Sequence, residues 1–158
     1  MADYSLDVFY KESKFDSQAN SVKADIKEDL SINAEDVIYV DSYSLTLNVP
    51  EEKVRELAEN IFIDPITQDF SLNNPYEKKG YWVLEVHFHE DVTDNMALTA
   101  QEAISDYLKR KLEETEKISW IRKYLIKGNL KEADIEKICS GLLANEIIET
   151  YNYKKVLL

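Results

Sequence analysis

Two histidines two positions apart, His87 and His89, share one side of an alternating stretch with Glu85, and their types and spacing come nearest to chemistry in this chain. Imidazole and carboxylate groups are zinc ligands, so on paper the three form a metal patch on a strand face. A shift of 78 positions upstream puts Asp7, Phe9 and Lys11 at the matching places, which favours reading the trio as polar side chains on a sheet. The three glycines, Gly80, Gly128 and Gly141, are not grouped into a phosphate-cradling loop, which excludes a Walker-type site and a dinucleotide fingerprint. No serine or cysteine has a recognisable nucleophile setting. The pairs Glu51/Glu52 and Glu113/Glu114 fall at helix starts or solvent faces, where acids are ordinary. The expectation is a chain without catalytic residues, cofactor-binding residues or metal ligands.

The elements that would carry these residues occur twice. Val54, Leu57, Ala58, Ile61 and Phe62 form the stripe of a helix with one buried face, and 81 positions later stand Ile135, Ile138, Cys139, Leu142 and Leu143. The start signals match too, Asn48-Val49-Pro50-Glu51 and Asn129-Leu130-Lys131-Glu132. Tyr39 corresponds to Trp120 and Tyr43 to Tyr124 at the same offset. Further upstream the offset is 78: Tyr4, Leu6, Val8 and Tyr10 face Trp82, Leu84, Val86 and Phe88, and Asp16 with Ala19, Val22 and Ile26 faces Asp94 with Ala97, Ala100 and Ile104. The second copy is therefore three residues longer, within Lys109 to Lys117.

The 158 residues are 44% hydrophobic and 32% charged, enough to bury a core. Copies of this size are marginal alone, since a domain of about 60 residues buries only some three-fifths of its unfolded surface. They should stabilise each other. A net charge of −12 argues against nucleic acid, whose phosphates demand clustered Lys and Arg. Lys109 to Lys111 runs straight into Glu113, Glu114 and Glu116, a mixed-charge stretch expected to be a solvated helix face. Apolar runs are too short to cross a bilayer and no basic segment precedes an apolar core at the N-terminus, so no membrane association is expected and the expected compartment is the cytoplasm. The single Cys139 lies on a buried helix stripe and is read as a core residue.

Residues 3–10 alternate as a half-buried strand, a helix is predicted from about Asp16 to Leu30, and residues 37–49 read as one bent strand or two short ones. A helix from Glu51 to Phe62 and a strand near Thr67 to Leu72 complete the first copy. The second predicts a strand at 81–89, a helix at about 94–114, a strand at 118–128, a helix at 131–144 and a strand at 147–156. The segment Asn73 to Gly80 collects the punctuating residues. The division is a first unit at 1–74, a linker at 75–80 and a second unit at 81–158. The fold class is α+β, each unit a small, mainly antiparallel sheet with two helices on one face, the two packed as a pseudo-dimer. The uncovered face of each sheet is expected to find the other copy.

The ending Gly141-Leu142-Leu143-Ala144-Asn145-Glu146-Ile147-Ile148-Glu149-Thr150-Tyr151 resembles the end of the PurS family, the small subunit of phosphoribosylformylglycinamidine (FGAM) synthase, where a leucine-rich helix runs into a "LLANPVIE" type segment and a last strand. The first copy keeps the proline, in Ile61-Phe62-Ile63-Asp64-Pro65-Ile66, that Glu146 replaces in the second. The opening, Val8-Phe9-Tyr10-Lys11 with Phe15-Asp16-Ser17-Gln18-Ala19, resembles the N-terminal region of large single-chain PurL, which begins with two PurS-like units in tandem. The glycine that often follows Asp-Pro in the first PurS helix is absent from both copies. The resemblance implies a non-catalytic assembly subunit, or an N-terminal domain, of an enzyme that uses ATP and glutamine to amidate formylglycinamide ribonucleotide in purine biosynthesis. Its implied partners are a PurL-type synthetase and a PurQ-type glutaminase, with self-association also open.

A tandem regulatory module of the ACT or ferredoxin-like kind, binding a small ligand between its copies, is the alternative. Such modules place glycine between the first strand and helix, and Lys11 to Phe15 and Glu90 to Thr93 contain none. For a protein interface the candidates are the repeated aromatics Tyr43 and Tyr124 and the sheet-face residues Phe9 and His87.

Overall fold

The alternating apolar segments form strands and the 3.6-period stripes form helices, in the same order in each half. The computed structural model describes residues 1–158. In the first half, β1 (Ala2–Tyr10), α1 (Ser17–Leu30), β2 (Asp36–Leu47), α2 (Glu51–Leu57) and β3 (Gln68–Leu72) follow one another. The second repeats them as β4 (Trp82–Phe88), α3 (Asn95–Leu108), β5 (Lys117–Lys127), α4 (Glu132–Ile138) and β6 (Glu149–Lys155). The fold is α+β, with six antiparallel strands in one sheet and four helices. No helix is long and apolar enough to cross a membrane.

The duplication extends to hydrogen bonds. Asp16 Oδ1 accepts from the Ala19 N–H, capping α1, while its Oδ2 accepts from the Tyr39 N–H of β2. Asp94 does the same for Ala97 and for Trp120 of β5. Each aspartate thus starts a helix and satisfies a strand donor that lies beyond the last residues paired with β1 or β4. Ser31 and Lys109, 78 apart, both end their helices in the left-handed conformation, at φ 56° and 57°. α2 and α4 each widen at the end into a π turn, Ala58–Phe62 and Cys139–Leu143.

Strand order is β3-β1-β2-β5-β4-β6, a palindrome of corresponding strands. The expectation of two small sheets meeting through uncovered faces is corrected. β2 and β5 pair edge to edge along their length, from Asp36 opposite Lys127 to Thr46 opposite Lys117. An antiparallel pairing satisfies the free backbone groups of both edges, which face-to-face stacking would leave exposed.

The helices cover one face over two cores, and each core draws on both halves. One packs Ala19, Val22 and Ile26 of α1 with Leu84, Tyr124, Ile126, Ile135 and Ile138 of the second half. The other packs Leu6, Leu45, Val54 and Leu57 with Ala100 and Ile104 of α3. The opposite face is partly covered by the linker, which must cross the sheet to run from β3 at one edge to β4 near the other. There Tyr76 stacks on Phe9 at 3.7 Å and 11°, beside Val40, Val83 and Leu125.

Two further features differ from expectation. α3 stops at Leu108, so Lys109 to Glu116 is a loop and not a solvated helix face. Glu116 is buried in it, accepting from Arg110, from the Glu113 N–H and from the Asn48 N–H of the first half. Asn48 therefore donates to a carboxylate, and the α2 N-cap is Pro50. β2 is one continuous strand.

Candidate functional site

The β2–β5 seam is centred on Asp41 and Arg122, which face each other in register and are themselves 81 positions apart. Opposite charges at such a site ordinarily pair. Here each turns to other groups: Asp41 Oδ1 accepts from the Tyr39 hydroxyl at 2.8 Å and from Trp120 Nε1 at 2.9 Å, a donor from the other half. Arg122 Nη2 donates to Glu149 Oε2 at 2.5 Å and to the Leu143 carbonyl at 3.2 Å, tying β5 to the π turn and to β6. Burial, and then the Asp41 charge, raise the phenols of Tyr39 and Tyr43 above the usual tyrosine range. The seam phenols are therefore neutral at ordinary pH.

The other sheet face carries a second polar centre. Lys123 Nζ of β5 donates to Asp7 Oδ2 of β1 at 2.7 Å, reaching across β2. Ser42 Oγ donates to Asp7 Oδ1 at 2.6 Å and the Tyr76 N–H to Oδ2 at 2.7 Å. Asp7 and Lys123 are buried, so one ion pair holds both halves and the strap above them.

Of the residues predicted for an interface, Tyr43 is 8% exposed and Tyr124 1%. Tyr43 meets Phe62 edge-on at 4.9 Å, and Tyr124 meets Tyr39 at 5.2 Å. Their contacts lie inside the chain, beside the seam. Phe9 is half-buried under Tyr76. His87 and His89 line a cleft of about 350 Å³ with Asp94, Trp120 and Asn152. β4 ends at Phe88, and the His89 N–H donates to the Ile148 carbonyl in the register of the β4–β6 pairing. No three His, Cys, Asp or Glu side chains are grouped to hold a metal ion. Cys139 is buried, and burial pushes its thiol up to about 12.

Two surface features were not read from the sequence. Lys79, Lys127 and Lys155 line a cleft of about 420 Å³ with Gly80, Gly128 and Glu35, and none of the three lysines is in an ion pair. They come from three distant segments, so no local charge run announces them. Ile66 and Ile147 stand 81% and 85% exposed at matching turns. Their signal was present, since the same residue recurs at the repeat offset two places after an Asp or Asn.

No protein-family model matches the chain, and no curated protein matches it.

Proposed function

We propose that this chain is a covalently joined pair of PurS-like units, related by a pseudo-twofold axis between Asp41 and Arg122. On this reading it serves FGAM synthase as a non-catalytic assembly subunit or N-terminal domain, bridging a PurL-type synthetase and a PurQ-type glutaminase. The observation that carries the reading is the palindromic sheet, in which corresponding strands of two matched halves meet edge to edge. A subunit that positions other components needs a rigid body with matched surfaces. The shared cores, the seam bonds of Asp41 and the buried Asp7–Lys123 pair supply rigidity of that kind. The order of motifs at both ends of the chain supports the family assignment. The test is glutamine-dependent amidation of formylglycinamide ribonucleotide by separately purified synthetase and glutaminase. Activity that requires this chain is the expected result, and full activity without it overturns the assembly role.

The basic cleft favours a second reading, a tandem regulatory module whose ligand is a small anion. Three unpaired lysines beside two glycines suit a phosphate or carboxylate, and the volume suits a mononucleotide. Melting temperature measured with and without millimolar AMP separates the two, because a ligand at 100 times its Kd adds about 2.7 kcal/mol.

A further inference from the structure

The exposed isoleucines Ile66 and Ile147 share a construction as well as a position. The Ile66 N–H donates to Asp64 Oδ1, the Asp64 N–H to Gln68 Oε1, and the Gln68 N–H back to the Asp64 carbonyl. In the second half the Ile147 N–H donates to Asn145 Oδ1, the Asn145 N–H to Glu149 Oε1, and the Glu149 N–H to the Asn145 carbonyl. Each turn is closed by these bonds and by one more to the same carbonyl, from Thr67 or Ile148, and they leave Ile66 at one tip and Ile147, with Ile148 36% exposed beside it, at the other. Turn tips ordinarily carry polar residues, and a stiff side chain on a braced loop loses little entropy when it is buried by a partner. One such isoleucine would be unremarked surface. Two at equivalent places, in turns whose neighbouring residues differ, Pro65 against Glu146 and Thr67 against Ile148, call for a common use.

Their placement defines the use. The tips precede β3 and β6, the two outer strands, so five strand spacings separate the edges that bear them, about 24 Å. The surroundings are acidic: Asp64 and Asp69 are exposed beside Ile66, Glu146 is exposed beside Ile147, and the chain as a whole carries −12. Lys11 Nζ is spent on the Pro65 carbonyl at 2.7 Å, bracing the first tip from behind.

We infer that Ile66 and Ile147 are paired docking anchors, each seating in an apolar pocket rimmed by lysine and arginine on a protein partner. The inference rests on the assembly reading above and names the surface through which assembly is made. Two anchors on one rigid body act together, so losing one costs the gain from simultaneous engagement as well as its own contact.

The test uses the full chain, a purified PurL-type synthetase with its PurQ-type glutaminase, and light-scattering or interferometric binding of the wild type, Ile66→Ser, Ile147→Ser and the double variant. Each single variant should weaken binding about tenfold or more and the double variant should abolish it, with melting temperatures unchanged because both side chains are exposed. Wild-type binding should also weaken as salt rises. Binding by the wild type that the double variant retains overturns the docking role and leaves the assembly reading standing. No binding by the wild type overturns both.

Discussion

Asp7 and Lys123, 116 positions apart, form a buried ion pair 2.7 Å long on the sheet face opposite the helices. The pair reaches from β1 across β2 to β5, and Asp7 also accepts from Ser42 and from the Tyr76 backbone. Removing one partner leaves the other charge buried and unpaired, which costs about 3–5 kcal/mol, whereas replacing both by apolar groups is nearly neutral. Lys123→Met alone should therefore lower the urea midpoint steeply. The double variant Asp7→Leu/Lys123→Met should recover much of the loss, less what Ser42 and Tyr76 forfeit. A double-mutant cycle by urea unfolding measures the difference.

Glu116 makes a prediction about pH. Arg110 first, with help from the Glu113 and Asn48 N–H groups and against the opposing effect of burial, holds its carboxyl at about 2, below the ordinary 4.5. The folded state thus binds this proton more weakly than the unfolded state does. The stabilisation is fully present above the unfolded value and is lost as pH falls from about 4.5 to about 2. With Arg110 partly open to solvent, the contribution at neutral pH is on the order of 2 kcal/mol. Glu116→Gln should lower stability near pH 7 and flatten the acid limb of a stability profile followed by circular dichroism. An unchanged acid limb would show that other carboxylates carry it.

The repeat itself was legible, because a stripe such as Val54, Leu57, Ala58, Ile61 and Phe62 is a local pattern. So was the buried face of each element, which Leu6, Val8, Leu84 and Val86 occupy as alternation requires. The seam was not, since which edge β2 joins depends on unpaired backbone groups of a strand some 80 residues away, and side-chain period carries no trace of that choice. Asp7 looked like an ordinary sheet-face acid because its partner Lys123 is distant in sequence. The same distance hid the basic cleft. The stretch from Lys109 to Glu114 reads as a continuation of the helix because its residues are good helix formers, and the hydrogen bonds gathered by Glu116 outweigh that propensity.

The double duty of Asp94 can be separated into its parts. Asp94→Ala removes the α3 cap and leaves the Trp120 N–H without its acceptor, for a loss of about 2–3 kcal/mol. Asp94→Asn retains one acceptor oxygen and should lose about half as much. The equivalent pair at Asp16 should behave alike, since its contacts to Ala19 and Tyr39 match. Hydrogen exchange at the Trp120 and Tyr39 amides, read by NMR, reports each strand-edge bond on its own.

Cys139 provides a probe of whether the two halves unfold together. It packs with α1 of the first half in a core shared by α4 and β4, and burial raises its thiol to about 12. In the native state only a minute fraction is thiolate and none of it is reachable, so modification by a disulfide reagent should follow opening of the chain. If the halves are interdependent, the labelling rate at neutral pH should report an opening free energy equal to the global value. It should rise in step with global unfolding when Ile104→Ala loosens the other core, where a buried large-to-small change costs about 2–5 kcal/mol. Labelling that ignores Ile104→Ala would mean that the core around Cys139 opens on its own, and that joining the strands edge to edge does not couple the cores on either side of the seam.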